Sequence, residues 1–168
     1  LPQAWNLKRN DQIGRDILAA DAFRFVSYPL RVHAGPDAIN KLVDEVDRLR
    51  SKRVLVVCGQ SILNKTDLVD RVKACLGERV ARVFSGGQTG SPVTSVLEGV
   101  AAAQKVDADG IVALGGGSAV VTARGMAILL AENGTAQELC TQYPEGKAPL
   151  SPRLMAPKLP IFNVLTTA

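Results

Sequence analysis

Three consecutive glycines and a serine, Gly115-Gly116-Gly117-Ser118, stand between an apolar run, "GIVAL", and a helix-forming run, "SAVVTARGMAILLA". Glycines let a backbone bend sharply and approach a ligand with no Cβ in the way. The free N–H groups of the helix's first turn then point at whatever lies before it, and the helix dipole favours an anion there. Ser118 offers a hydroxyl and a helix cap. A pyrophosphate suits this chemistry, and a tight strand-to-helix turn with no ligand is the plain alternative. The run is not the dinucleotide fingerprint with its three spaced glycines. Nor is it a P-loop, since no Gly-Lys-Ser/Thr follows. By spacing alone it is an anion site suited to a nucleotide.

A second turn bears on which nucleotide. "CGQSILNKT" places Gly59, Gln60 and Ser61 after an apolar run, with Lys65 four residues on. In a dinucleotide site, an acid after an early strand bonds the ribose 2′-hydroxyl, whereas a small or basic set admits a 2′-phosphate. No carboxylate stands here to repel that phosphate, and a hydroxyl and an ammonium are at hand. This favours NADP over NAD, with NAD still open. In the plainer reading, Ser61 caps a helix and Lys65 is a solvated surface charge.

Those turns need strands and helices to hold them, and the chain alternates between the two. "LRVHAG" suggests a short strand. "PDAINKLVDEVDRL" sets Ile39, Leu42, Val43, Val46 and Leu49 on one helical face, with Pro36 near its start. "RVLVVC", rich in β-branched residues, reads as a buried parallel strand. "GQSILNKTD" is its turn, and "TDLVDRVKACL" is a helix capped by Thr66 or Asp67. "RVARVF" is a strand, "SGGQTGSP" a loop, and "PVTSVLEGVAAAQKV" a helix with Pro92 in its first turn. "GIVALG" is a strand and "SAVVTARGMAILLA" a helix. A surface loop carrying Pro144, Pro149, Pro152, Pro157 and Pro160 precedes a last strand, "IFNVL". A short helix is expected near "DQIGRDILAADAF".

Such alternation implies an α/β, Rossmann-like, doubly wound and mainly parallel sheet flanked by helices. Ligands bind these sheets beyond the carboxyl ends of the strands. The turns "GQS", "SGGQTG", "GGGS" and "TTA" all fall there.

Composition narrows the class. The chain has 168 residues, 46% hydrophobic and 21% charged, which suits one well-buried domain. A net charge of +4 with scattered basic residues gives no stripe for nucleic acid. No apolar segment is long enough for a membrane span, and the N-terminus resembles neither a signal nor a transit peptide. Cys58, Cys75 and Cys140 are odd in number and far apart, fitting neither zinc nor disulfides, so a reducing, cytoplasmic setting is expected. Cys58 ends an apolar run as a small core residue. His33 is the sole histidine and cannot supply a multi-histidine metal site.

"DGIVALGGGSAVVTARGMAILL", "SGGQTGSPVTSVLEGVAAAQKVDAD", "RVHAGPDAINKLVDEV" and "LPIFNVLTTA" together resemble the N-terminal half of iron-dependent (group III) alcohol dehydrogenases. That superfamily also holds glycerol dehydrogenase and dehydroquinate synthase. The likeness covers roughly residues 30–168. It implies that Gly115, Gly116, Gly117 and Ser118 hold a pyrophosphate. It places Gly59, Gln60 and Ser61 where NAD and NADP are told apart, and Pro92 near the adenine. Thr166 and Thr167 match a threonine pair that contacts the cofactor. Three positions depart from the pattern. Val121 stands where the family has Asp, Arg124 where it has Lys, and Leu165 where it has Pro before the threonines.

The resemblance implies hydride transfer between a nicotinamide and a small alcohol–carbonyl pair. A divalent metal such as iron or zinc would be held by an Asp and usually three His in a helical second domain. Nothing in this chain stands in for those ligands, so that domain is expected downstream. Residues 31–168 would then be the dinucleotide-binding domain, inactive by itself and without a catalytic residue. Residues 1–30 would be an extension contributing to a homodimer interface. The alternative is a non-catalytic nucleotide-binding or interaction module that lacks the metal domain.

Overall fold

The apolar β-branched runs become the strands of one parallel sheet. These are Val54–Val57 (β1), Val80–Phe84 (β2), Gly110–Gly115 (β3) and Ile161–Leu165 (β4), in the spatial order β2-β1-β3-β4. The computed structural model describes residues 30–166. The helix expected near "DQIGRDILAADAF", all but the last residue of the 1–30 extension, and Thr167 lie outside the described residues. The chain divides into two units, Leu1–Val32 and His33–Ala168, and every element named here belongs to the second.

Alternation along the central strands separates two cores, one on each face of the sheet. Val54, Val56, Val112, Leu114 and Phe162 face Leu42 and Val46 of helix Leu42–Arg48 (α1). They also face Val69, Val72 and Leu76 of helix Leu68–Leu76 (α3). On the other face, Leu55, Val57, Ile111 and Ala113 meet helices Val93–Lys105 (α4) and Gly117–Ala131 (α5). Small residues bring those two helices close. A Cβ added at Gly99 would lie 2.5 Å from the sulfur of Met126.

Several expectations shift. "LRVHAG" forms no strand among the described residues, and His33 instead reaches the Glu45 carboxylate at 3.0 Å. The first helix begins as a 3₁₀ turn, Ala38–Lys41, and Leu49 falls just past α1, where it is exposed. "GQSILNKTD" is not a simple turn, because Gln60–Lys65 is a helix (α2). Its interior holds neither Gly nor Pro, and Gln, Leu and Lys are good helix formers. The next helix starts as expected, with Asp67 at its N-cap position. The cap bond, however, goes from the Leu68 N–H to Thr66 Oγ1 at 3.4 Å. Cys58, Cys75 and Cys140 are free thiols, and burial pushes the Cys58 thiol up, as suits a packed core residue. Among the described residues no helix is long and apolar enough to cross a membrane.

The proline-rich connection has no helix and is fastened at several points, one of them a charged pair. Lys158 Nζ and the Ala156 N–H both donate to Glu132 Oε1, at 2.5 and 3.0 Å, just past the C-terminus of α5. The Lys158 hydrogen bond, aided by the Ala156 amide and opposed by partial burial, holds the Glu132 carboxyl below its ordinary range. A lowered carboxyl pKa stabilises the fold above the unfolded value, and that stabilisation is lost as pH falls through the folded value. Glu132→Gln should therefore lower the urea midpoint at pH 7, and the gap to wild type should close in acid. Urea titrations of both proteins across pH 3–7 check this.

Candidate nucleotide site at the strand ends

From β1 the chain crosses to β2 over the face covered by α3, whereas from β3 it crosses to β4 over the face covered by α5. The sheet order therefore reverses between β1 and β3. Doubly wound sheets form their ligand crevice at such a reversal, outside the carboxyl ends of the strands. The two turns flanking this crevice are the two singled out from the sequence, Gly59-Gln60-Ser61 after β1 and Gly115 to Ser118 after β3.

The β3 turn is built for close backbone approach. Gly115 has φ +140°, a conformation that essentially only glycine adopts. Gly116 is the N-cap of α5 and Gly117 its first residue. A Cβ added at Gly117 would meet no atom within 4 Å, so the space before the helix start is open. Ser118 departs from expectation. It lies in the first turn and makes no cap bond, because Gly116 already occupies the cap position. The Ala119 N–H already donates to Gly116 O at 3.1 Å, so the Gly117 and Ser118 amides are the ones left without an intrahelical partner and suited to an anion.

The β1 turn packs against its neighbours through backbone. Cys58 N–H donates to Phe84 O, and Gly87 N–H donates to Cys58 O, both at 3.0 Å. A Cβ on Gly87 would lie 2.8 Å from Cys58 O, so only glycine fits there. Gln60 opens α2, and its Nε2 donates to Ser85 Oγ at 2.9 Å. Ile62 leans towards the other turn, 3.6 Å from the position a Gly115 Cβ would take. Ser61 is exposed in the first turn of α2, which carries no acidic residue. Lys65 ends that helix, about 7–8 Å further along its axis. The structure brings the two turns together, and Lys65 stands at the end of α2 opposite its glycine cap.

Two further segments close the edge. The Thr166 N–H donates to Gly115 O at 3.1 Å, which ties the end of β4 to the glycine turn. Pro92 is the N-cap of α4. Beside it, Ser91 Oγ donates to Ser118 O at 2.9 Å. Ser95, fully buried, donates its hydroxyl to Gly86 O. Ser91, Ser95 and Gly87 were missed from the sequence. Only the glycines of "SGGQTGSP" hinted that this loop must pass close to other backbone.

Val121, on α5 as it leaves the crevice, and Leu165, at the end of β4 that arrives there, are exposed at 55% and 61%, and Arg124 is exposed one helical turn after Val121. Among the described residues no cluster of three or more His, Cys, Asp or Glu is placed to hold a metal ion. A separate cleft of about 180 Å³, lined by Ala103, Gln104, Asp107, Leu130 and Pro157 among others, lies at the opposite end of the sheet. The C-termini of α4 and α5 reach that end, so the cleft plays no part in the crevice.

A parallel sheet whose order reverses between two glycine-bearing turns, each opening a helix, defines a doubly wound, Rossmann-like domain. The chain belongs to the iron-containing alcohol dehydrogenase family, whose model matches residues 29–168. It is 34% identical over 113 residues to maleylacetate reductase 2 of Cupriavidus pinatubonensis, covering 66% of this chain and 31% of that protein. It is also 34% identical over 112 residues to 4-hydroxybutyrate dehydrogenase of Cupriavidus necator, covering 66% of this chain and 28% of that one. Among solved structures, NADH-dependent butanol dehydrogenase A of Thermotoga maritima superposes with a TM-score of 0.69 at 26% identity. That match covers 85% of this chain and 34% of the other. The chain thus spans about a third of the length of the relatives it matches.

Proposed function

We propose that this chain is the cofactor-holding part of an NAD(P)-dependent oxidoreductase that interconverts a small alcohol and its aldehyde or ketone. The observation that carries the reading is the open glycine turn, Gly115 to Ser118, at the start of α5 beside the sheet reversal. The amides there would hold the pyrophosphate. Gly59, Gln60 and Ser61 would face the adenosine ribose, with Pro92 near the adenine and Thr166 and Thr167 at the edge of the cofactor. The cofactor, when bound, supplies the hydride. The relatives include two named as dehydrogenases and one named as NADH-dependent, which supports this assignment.

The described residues do not fit the family's divalent metal, iron or zinc, so no step through it is assigned to them. Its ligands would belong to the remainder of the relatives' length, which would also shape the substrate pocket. A homodimer and a cytoplasmic setting complete the proposal.

The proposed cofactor is NADP, because no acidic residue stands in the first turn of α2 to repel a 2′-phosphate. Titration of the purified chain with NADPH and with NADH, read by nucleotide fluorescence, should show binding of both, tighter for NADPH. Ser61→Asp should weaken NADPH at least about tenfold by like-charge repulsion while leaving NADH nearly unchanged. Failure of the wild-type chain to bind either nucleotide would overturn the proposal.

A further inference from the structure

One carbonyl oxygen at the crevice is contested. The i→i−4 ladder of α5 brings the Thr122 N–H to the Ser118 carbonyl. Ser91 Oγ, from the loop between β2 and α4, donates to the same oxygen at 2.9 Å. A carbonyl oxygen has two lone pairs, so these two donors fill it. Thr122 carries a third candidate. A helical threonine commonly turns its hydroxyl onto the carbonyl four residues back, which for Thr122 is again Ser118. Here Thr122 is fully buried and its Oγ1 has no hydrogen-bond partner. An orphaned buried hydroxyl is destabilising, and a competing donor on the oxygen it would otherwise use accounts for it.

The winning donor is held by an unusual backbone. Ser91 has φ 47° and Gly90 φ 78°, two successive left-handed residues just before Pro92 opens α4. The chain adopts that shape while a buried threonine hydroxyl goes without a partner. What the arrangement secures is the position of the first turn of α5, the turn whose amides face the crevice.

We propose that Ser91 is a positioning residue of the diphosphate cradle, and that Thr122 is the reserve donor to the same Ser118 oxygen. The inference rests on the reading of the glycine turn as a diphosphate site. Ser91 ties the β2–α4 loop to α5 and presets the amides of Gly117 and Ser118. Loss of Ser91 passes the lone pair to Thr122, so the helix keeps its hydrogen bond while the loop is released.

The test uses the full chain and the variants Ser91→Ala, Ser91→Asn, Thr122→Val and Ser91→Ala/Thr122→Val. Ser91→Ala should raise the Kd for NADPH about fivefold to tenfold, as one lost hydrogen bond allows, with little change in melting temperature. It should leave the Kd for adenosine 2′-monophosphate, which has no 5′-phosphate to enter the cradle, unchanged. Ser91→Asn tolerates the positive φ and still donates, so it should restore NADPH affinity. Thr122→Val should melt higher than wild type, because it removes an unpartnered buried hydroxyl. In the double variant, with no reserve donor, NADPH affinity should fall further than in Ser91→Ala.

Equal NADPH affinity of Ser91→Ala and a wild type that does bind would overturn the inference and leave the cofactor reading standing. A Thr122→Val protein less stable than wild type would overturn it as well. A wild-type chain that binds no nucleotide would overturn both readings together.

Discussion

Gly115→Val should cost the chain about a hundredfold in NADPH affinity and several degrees of melting temperature, whereas Gly117→Ala should lose affinity with its stability intact. The two glycines are two residues apart but serve different ends. Gly115 has φ +140°, and a side chain there strains the backbone by about 1–3 kcal/mol whatever the surrounding space. Space itself is not the obstacle at the first carbon, since an added Cβ would sit 3.4 Å from Ala119 Cβ and 3.6 Å from Ile62 Cγ1, ordinary contacts. The strain is relieved by rotating the turn, and the turn carries the start of α5 and the carbonyl that holds Thr166. Fold and cradle therefore suffer together.

At Gly117 the backbone is helical and no atom lies within 4 Å of an added Cβ. Alanine in a helix is preferred to glycine by roughly 0.5–1 kcal/mol, so the variant should melt no lower than wild type. Its methyl group projects into the open space where a diphosphate would rest. Thermal melts paired with NADPH titrations separate the two cases. An affinity unchanged in Gly117→Ala would mean that nothing docks at this corner.

The contrast between local and distant information explains which parts of this molecule were legible beforehand. β1 and β3 were plain because strands buried on both faces read as unbroken β-branched or apolar runs, "VLVV" and "GIVALG". The placement of the candidate turns was legible to the same degree, because a parallel sheet puts every turn that follows a strand at one edge. "LRVHAG" has strand propensity, but a strand also needs a ladder partner, and among the described residues it has none. "GQSI" carries turn chemistry, yet the glycine there serves as the N-cap of α2. Ser118 looked like a cap because serine favours that position, but Gly116 reaches it first. Ser91 was invisible for a different reason. Its partner lies 27 residues away, and no periodicity reports such a contact.

Leu55→Ala should destabilise the domain by about 3 kcal/mol, the larger of the purely structural effects expected here. Leu55 is fully buried on β1, which has neighbours on both sides, and its side chain enters the core beneath α4 and α5. What the helices offer in return is small: Ala102, Ala103, Ala123 and Ala127 are the buried alanines that α4 and α5 contribute to that core. Their methyl groups let the helix backbones approach the sheet, so Leu55 fills space that no flexible neighbour can take over. Met126 is the adaptable exception, and its sulfur is already confined beside Gly99. A cavity left by Leu55 would therefore collapse little, and the cost should fall in the middle of the range for leucine truncations, about 2–5 kcal/mol. For a domain of this size that is a drop of about 6–12 °C in melting temperature. Leu97→Ala is the control, because Leu97 is 50% exposed on α4 and its truncation should change stability by less than about 0.5 kcal/mol. Urea denaturation of both variants measures the difference. A Leu55→Ala protein as stable as Leu97→Ala would mean that this face of the sheet is not packed as described.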